Sequence, residues 1–126
     1  MPRTKQIRVL IVDDHPIVRG GLRAIAEVDR GIEIVGEASD YAQALIATRQ
    51  LSPDVLLLDI RLSGRSGFEV CRAVKQLKPA PRVLFLTSFA DNALVLNAMS
   101  VGADGYLLKE NDPRQLVNAI RIVLNC

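Results

Sequence analysis

Three uninterrupted apolar runs constrain this 126-residue chain more than any other feature: Val9-Leu10-Ile11-Val12, Val55-Leu56-Leu57-Leu58 and Val83-Leu84-Phe85-Leu86. A strand with one face in water alternates apolar and polar residues, and these do not alternate. Continuous apolar strands are buried on both faces, as in a parallel sheet covered by helices on each side. Longer amphipathic stretches separate the runs, which is the order of an α/β fold. Strands are predicted over Ile7 to Val12, Ile32 to Glu37, Val55 to Leu58, Val83 to Leu86 and Gly105 to Leu108. Five βα units then make one domain, a doubly wound five-stranded sheet in three layers.

The helices carry start signals. Asp40-Tyr41-Ala42-Gln43 and Ser66-Gly67-Phe68-Glu69 read as capping boxes, in which residues three apart satisfy orphan amides. Asp91 is expected to cap the fourth helix, and Asp112 before Pro113 the fifth. In that last helix Leu116, Val117, Ile120 and Val123 fall on one stripe. Gly20-Gly21 interrupts the first helix at a cost of roughly 1 kcal/mol per glycine against alanine. The pair is read as close packing against the sheet.

Composition removes whole classes of function. Hydrophobic residues at 49% and charged residues at 24% exclude a disordered or low-complexity chain. A net charge of +2 is too small to argue nucleic-acid binding from electrostatics. No apolar run approaches the ~20 residues of a membrane helix, and Met1 to Gln6 lack a signal peptide's apolar stretch. Cys71 and Cys126 are too few for a disulfide scaffold or a metal cluster, and Cys71 is expected to be inert. A soluble, cytoplasmic domain is expected.

Polar residues follow the strands in a pattern. The first strand ends in Asp13-Asp14, the third in Asp59, the fourth in Thr87-Ser88 and the fifth in Lys109. Right-handed crossovers bring every strand's carboxyl end to one edge of a parallel sheet, where ligands collect. Three carboxylates, a hydroxyl and an ammonium therefore converge. Two carboxylates about 4 Å apart repel by roughly 4 kcal/mol at an effective dielectric of 20. A divalent cation relieves that repulsion, and oxygen-only ligands select a hard ion such as Mg²⁺. Cation, lysine and hydroxyl together can hold three phosphoryl oxygens, which is most of what phosphoryl transfer needs from a protein. One carboxylate then serves as nucleophile, forming an aspartyl phosphate.

Taken together, Val9 to Pro16 (ending Asp13-Asp14-His15-Pro16), Pro53 to Ile60, Leu86-Thr87-Ser88 and Gly102 to Lys109 resemble the receiver domain of bacterial response regulators. The resemblance runs from about Ile7 to Val123. The Asp-Asp-His-Pro turn and the Gly-Tyr-Leu-Leu-Lys stretch are most similar to the subgroup carrying a LuxR-type helix-turn-helix after the receiver. The likeness implies a flavodoxin-like strand order of 2-1-3-4-5. It also implies Asp59 as phospho-acceptor, Asp13 and Asp14 as Mg²⁺ ligands, and the backbone carbonyl of Arg61 as a further one. Thr87 and Lys109 match the residues that contact the phosphoryl group, and Tyr106 the aromatic that changes rotamer on activation. The implied phosphodonor is a sensor histidine kinase, with a phosphorylation-dependent homodimer as a further partner. DNA would be reached only through a C-terminal domain that residues 1–126 do not include. The domain would carry the chemistry on its own side chain, without being an enzyme in the usual sense. One departure stands out. The family commonly has a methionine-proline pair after the acceptor, and this chain has Leu62-Ser63. Loss of the proline frees φ and restores an amide, which predicts a less rigid loop.

Plainer readings apply to the other polar residues. Asp54, Asp91, Asp104 and Asp112 are read as caps and turn residues. His15 is read as shaping the turn before Pro16 instead of binding metal. Arg72, Lys75, Lys78 and Arg82 are read as a solvated face. Rival functions also meet obstacles. A haloacid-dehalogenase-type phosphatase wants Asp-x-Asp after the first strand, which Asp13-Asp14-His15 lacks. A nucleotide or flavin site wants a glycine- or hydroxyl-rich loop there, where two carboxylates would repel phosphate. An unphosphorylated receiver-like interaction module would lack one of the key residues.

Overall fold

The computed structural model describes residues 6–88, 91–109 and 113–125. Strands and helices alternate as β1 (Ile7–Val12), α1 (Pro16–Glu27), β2 (Ile32–Ala38), α2 (Tyr41–Leu51), β3 (Val55–Leu58), α3 (Gly67–Val74), β4 (Arg82–Thr87), α4 (Asn92–Ser100), β5 (Gly105–Leu108) and α5 (Pro113–Leu124). The strands form one parallel sheet in the order β2-β1-β3-β4-β5, as expected.

Both faces of the three central strands are covered. Leu10, Val12, Leu56, Leu58, Val83 and Phe85 pack with residues of α2, α3 and α4, among them Ala44, Val70, Val74 and Ala98. Their strand neighbours Val9, Ile11, Val55, Leu57, Leu84 and Leu86 pack on the opposite face against Ala26 of α1 and Leu116, Ile120 and Val123 of α5. Side chains alternate across a strand, so a run with no polar residue needs an apolar layer on each side. None of these twelve residues is more than 4% exposed. At about 1.5–3 kcal/mol for each large apolar side chain buried, this double layer is the main stabilising element of the fold. The edge strands differ: β2 exposes Glu33 between buried Ile32 and Ile34, and β5 is half-buried throughout.

Strand ends exceed the expected ones where polar residues join the ladder. Arg82 pairs with Val55 and Thr87 with Leu108, while Ala38 pairs with Val12. Apolarity marks only the middle of such strands.

The capping signals are partly realised. Asp91 Oδ1 accepts from the Ala93 amide at 2.7 Å. Asp40 Oδ1 accepts from the Gln43 amide at 2.8 Å, but Gln43 Oε1 turns to the Ser39 amide and hydroxyl instead of closing the box. Ser66 makes no side-chain cap, since its backbone is held in an antiparallel bridge with Arg61. Asp112 and Cys126 lie outside the described residues.

Two expectations are corrected. Gly20 and Gly21 do not pack on the sheet: both are exposed, and a Cβ at either would meet no atom within 4 Å. Their positions on the outer face of α1 explain this, because the inner face belongs to Leu22, Ile25 and Ala26. Nor is the basic cluster wholly solvated. Lys75 Nζ donates to Asp104 Oδ2 at 2.6 Å and to the Pro81 carbonyl at 3.0 Å, and Arg82 lies 3.4 Å from Asp104. Asp104 also accepts from the Val83 amide, so it staples the start of β4 to the turn before β5. Asp54 is structural too, accepting from the Arg8 amide at 2.9 Å.

Candidate phosphoryl and metal site

The carboxyl ends of β1, β3, β4 and β5 meet at one edge of the sheet. Hydrogen bonds carry the ladders one residue past the strands: the Asp13 amide donates to Ala38, the Asp59 amide to Val12 and the Lys109 amide to Thr87. The backbone thus delivers each site residue in register. Asp13 is 1% exposed and Asp59 is 7% exposed, which leaves their carboxylates little water to lean on.

Lys109 joins them. Its Nζ lies 2.8 Å from Asp13 Oδ2 and 3.0 Å from Asp59 Oδ2. Burial raises the Asp59 pKa, and the neighbouring Asp13 charge adds to the rise against the pull of Lys109. Asp13 is also penalised by burial, but hydrogen bonds from Lys109 and the His15 amide prevail and lower its pKa. Burial disfavours the Lys109 cation as well, yet its bonds to the two acids raise its pKa and hold the proton. Within this pair of acids, Asp13 keeps its charge more firmly. The backbone amide of Arg61 adds a hydrogen bond to Asp59.

Ligand atoms of Asp13, Asp14, His15 and Asp59 all lie within 4.8 Å of one another. Asp14 Oδ1 is buried and has no hydrogen-bond partner, an arrangement that leaves a carboxylate oxygen in need of a cation. His15 Nδ1 sits 2.8 Å from that oxygen without hydrogen-bonding alignment, an ion pair when the ring carries its proton. This clustering of hard oxygen donors beside an orphaned one fits Mg²⁺. The His15 amide donates to Asp13 Oδ1 at 2.9 Å, in keeping with a turn-shaping role, while the ring itself joins the acidic cluster.

Thr87 ends β4 fully buried, and Tyr106 lies half-buried beside Phe85 on β5. Phe85 and Thr87 share a face of β4, so Tyr106 and Thr87 lie on the same side of the sheet as α4. Burial raises the Tyr106 pKa, with the charge of Asp91 adding to it. Arg121 of α5 turns towards the α1–β2 turn, where Nη2 donates to Asp29 Oδ1 at 2.7 Å.

Three contributors were not legible in the sequence. Arg19 Nη1 donates to the Asp13 carbonyl at 2.6 Å while its Nε meets Glu37 at 3.0 Å, bracing the acidic turn against β2. Hydrogen bonds from Arg23 and Arg19 lower the Glu37 pKa although burial opposes them. Ser63 Oγ donates to Asp14 Oδ2 at 3.1 Å. Gly67 lies so close to Asp59 that a Cβ there would stand 2.0 Å from the Asp59 carbonyl oxygen. The position of Gly67 next to a helix start was the one available signal, since close backbone approach is a use of glycine.

Comparisons with known proteins agree with this geometry. The response regulator receiver domain family model matches residues 9–121. The chain is 40% identical over 121 residues to the nitrate/nitrite response regulator protein NarP of Escherichia coli, covering 96% of this chain and 56% of that protein. It is 40% identical over 115 residues to the transcriptional regulatory protein LiaR of Bacillus subtilis, covering 91% of this chain and 54% of the relative. It thus spans about half the length of these curated relatives. Among solved structures, a LuxR-family response regulator from Aurantimonas superposes with a TM-score of 0.91 at 39% identity, covering 96% of this chain and 86% of that one. The signal receiver domain of the NarL regulator from Mycobacterium tuberculosis superposes with a TM-score of 0.90 at 35% identity, covering 96% and 98%. The chain belongs to the response regulator receiver domain family, the receivers of two-component signalling.

Proposed function

We propose that this domain accepts a phosphoryl group onto Asp59 from the phosphohistidine of a sensor kinase, with Mg²⁺ held by Asp13, Asp14, Asp59 and the Arg61 carbonyl. The observation that carries the reading is Lys109, whose single ammonium bridges Asp13 and Asp59 while Asp14 Oδ1 stays buried without a hydrogen bond. Such a site is short of positive charge and built to receive more.

When bound, Mg²⁺ supplies charge that offsets the carboxylate repulsion and the phosphoryl oxygens. An oxygen of Asp59 forms the new O–P bond as the donor's P–N bond breaks, and the imidazole leaves with the bonding pair. Lys109 has three N–H donors, so it can hold a phosphoryl oxygen while keeping Asp13. The Thr87 hydroxyl offers a further donor from the end of β4. Its turn towards the phosphoryl group would open space for the Tyr106 ring, altering the surface formed by α4 and β5. Through that surface the domain would change self-association and, by way of a DNA-binding domain, control transcription in the cytoplasm. Among the described residues no helix is long and apolar enough to cross a membrane.

Acetyl phosphate with Mg²⁺ should label the protein once, on Asp59, as read by intact-mass and peptide mass spectrometry. Asp59→Asn should remain unlabelled. Labelling of that variant at the wild-type rate would overturn the assignment.

A further inference from the structure

Asp14 has two oxygens with different surroundings. Oδ1 points into the crevice, buried and without a hydrogen bond. Oδ2 accepts from the Ser63 hydroxyl at 3.1 Å, across from the β3–α3 loop and 49 residues away in sequence. We infer that Ser63 is a positioning residue for Asp14, holding its outer oxygen so that the inner one stays aimed at the cation. The inference rests on the reading of Asp14 as a Mg²⁺ ligand.

The loop can act as such a support because it is tied on several sides. Arg61 and Ser66 form an antiparallel bridge across its base, and Ser63 itself bridges Asp40 at the start of α2. Gly64 turns the chain with a φ of 84°, a left-handed conformation that favours glycine. Gly67 then abuts the Asp59 carbonyl. The looser loop expected from the missing proline is therefore tied by backbone pairing instead. Proline, common at this place in the family, carries no hydroxyl and could not reach Asp14. A serine can.

The physical effect is preorganisation. A free aspartate side chain loses rotamer freedom when it binds a cation, and a hydrogen bond to the oxygen facing away removes part of that loss in advance. Because Ser63 bonds Oδ2 only, it does not compete for Oδ1.

Mg²⁺ affinity should be measured by isothermal titration on the unphosphorylated protein, alongside thermal melting in EDTA. Ser63→Ala should weaken Mg²⁺ binding about three- to tenfold, the range that the net contribution of one ordinary hydrogen bond can supply. Ser63→Pro should behave like Ser63→Ala, and Ser63→Thr should restore wild-type affinity. Melting in EDTA should be nearly the same for the serine, alanine and threonine forms. Labelling by acetyl phosphate should need more Mg²⁺ in Ser63→Ala to reach half its maximal rate, with that maximal rate unchanged. Wild-type affinity in Ser63→Ala would overturn the inference, as would failure of threonine to rescue. Asp14→Asn separates the two levels: wild-type Mg²⁺ affinity in that variant would instead overturn the reading of Asp14 as a ligand.

Discussion

At the scale of single residues, Asp59 stands out because the fold works against its charge. It is buried, it faces Asp13, and it shares one lysine with that neighbour. Its pKa is raised above the ordinary value of 3.8. A raised acid favours the folded state below its unfolded pKa, and that contribution is lost as pH rises through the folded value. At neutral pH the Asp59 carboxylate is therefore a net cost to stability. Asp59→Asn should melt several degrees higher than wild type at pH 7 in EDTA, at about 4 °C per kcal/mol for a chain of this size. The gap should close as the pH is lowered through the raised pKa of Asp59, where the wild-type side chain takes up its proton. Thermal melts from pH 4 to 8 check this, and a gap that widens in acid would contradict it. Asp13 has the opposite sign: its lowered pKa gives stability that is lost only as pH falls below the unfolded value.

At the scale of elements, α1 serves the site through Arg19 and leaves part of its own stability unused. Gly20 and Gly21 lie inside the helix, exposed, with open space where a Cβ would project. Each glycine there costs about 0.5–1 kcal/mol against alanine through backbone entropy. Gly20→Ala and Gly21→Ala should each raise stability by roughly that amount, additively, in urea denaturation. Lower stability in either would mean that the outer face of α1 needs the glycine. The brace formed by Arg19 and Glu37 is only partly buried, so its ion pair adds little by itself. Its weight lies in the Asp13 carbonyl, which Arg19 holds at the point where β1 gives way to the acidic turn.

At the scale of the molecule, the acidic crevice and the groove beside α5 are separate. A groove of about 580 Å³ runs between α1 and α5, lined by Ile25, Val28, Val117 and Arg121, and shares no residue with the site. On the proposed function, output from Asp59 would pass through β4 and β5, where Thr87 and Tyr106 lie on the α4 side of the sheet. Reversing a two-state population from 1:99 to 99:1 needs about 5.5 kcal/mol of differential stabilisation. A charge-assisted hydrogen bond from Thr87 supplies only about 1.5–3 kcal/mol, so Lys109 and the loops must contribute the rest. Thr87→Ala should still bind beryllofluoride with Mg²⁺ but show a reduced NMR response around Tyr106 and α4. The full wild-type shift pattern in that variant would rule out this coupling.

What the sequence alone determined follows from local rules. The apolar runs required a sheet covered on both faces, and right-handed crossovers sent Asp13, Asp14, Asp59, Thr87 and Lys109 to one edge. Both inferences need only side-chain period and chain handedness. Caps such as Asp91 are equally local, because donor and acceptor lie two or three residues apart. Tertiary structure decided everything that depended on a partner distant in sequence. Ser63 and Asp14 meet from two different loops, Lys75 meets Asp104 across 29 residues of chain, and Arg19 meets Glu37 on the neighbouring β2. Gly20 and Gly21 belong here as well: a glycine pair looks alike on either face of a helix until the packed face is known. Hydrogen bonds are short and directional, so a sequence can specify which groups need partners while only the folded geometry selects among them.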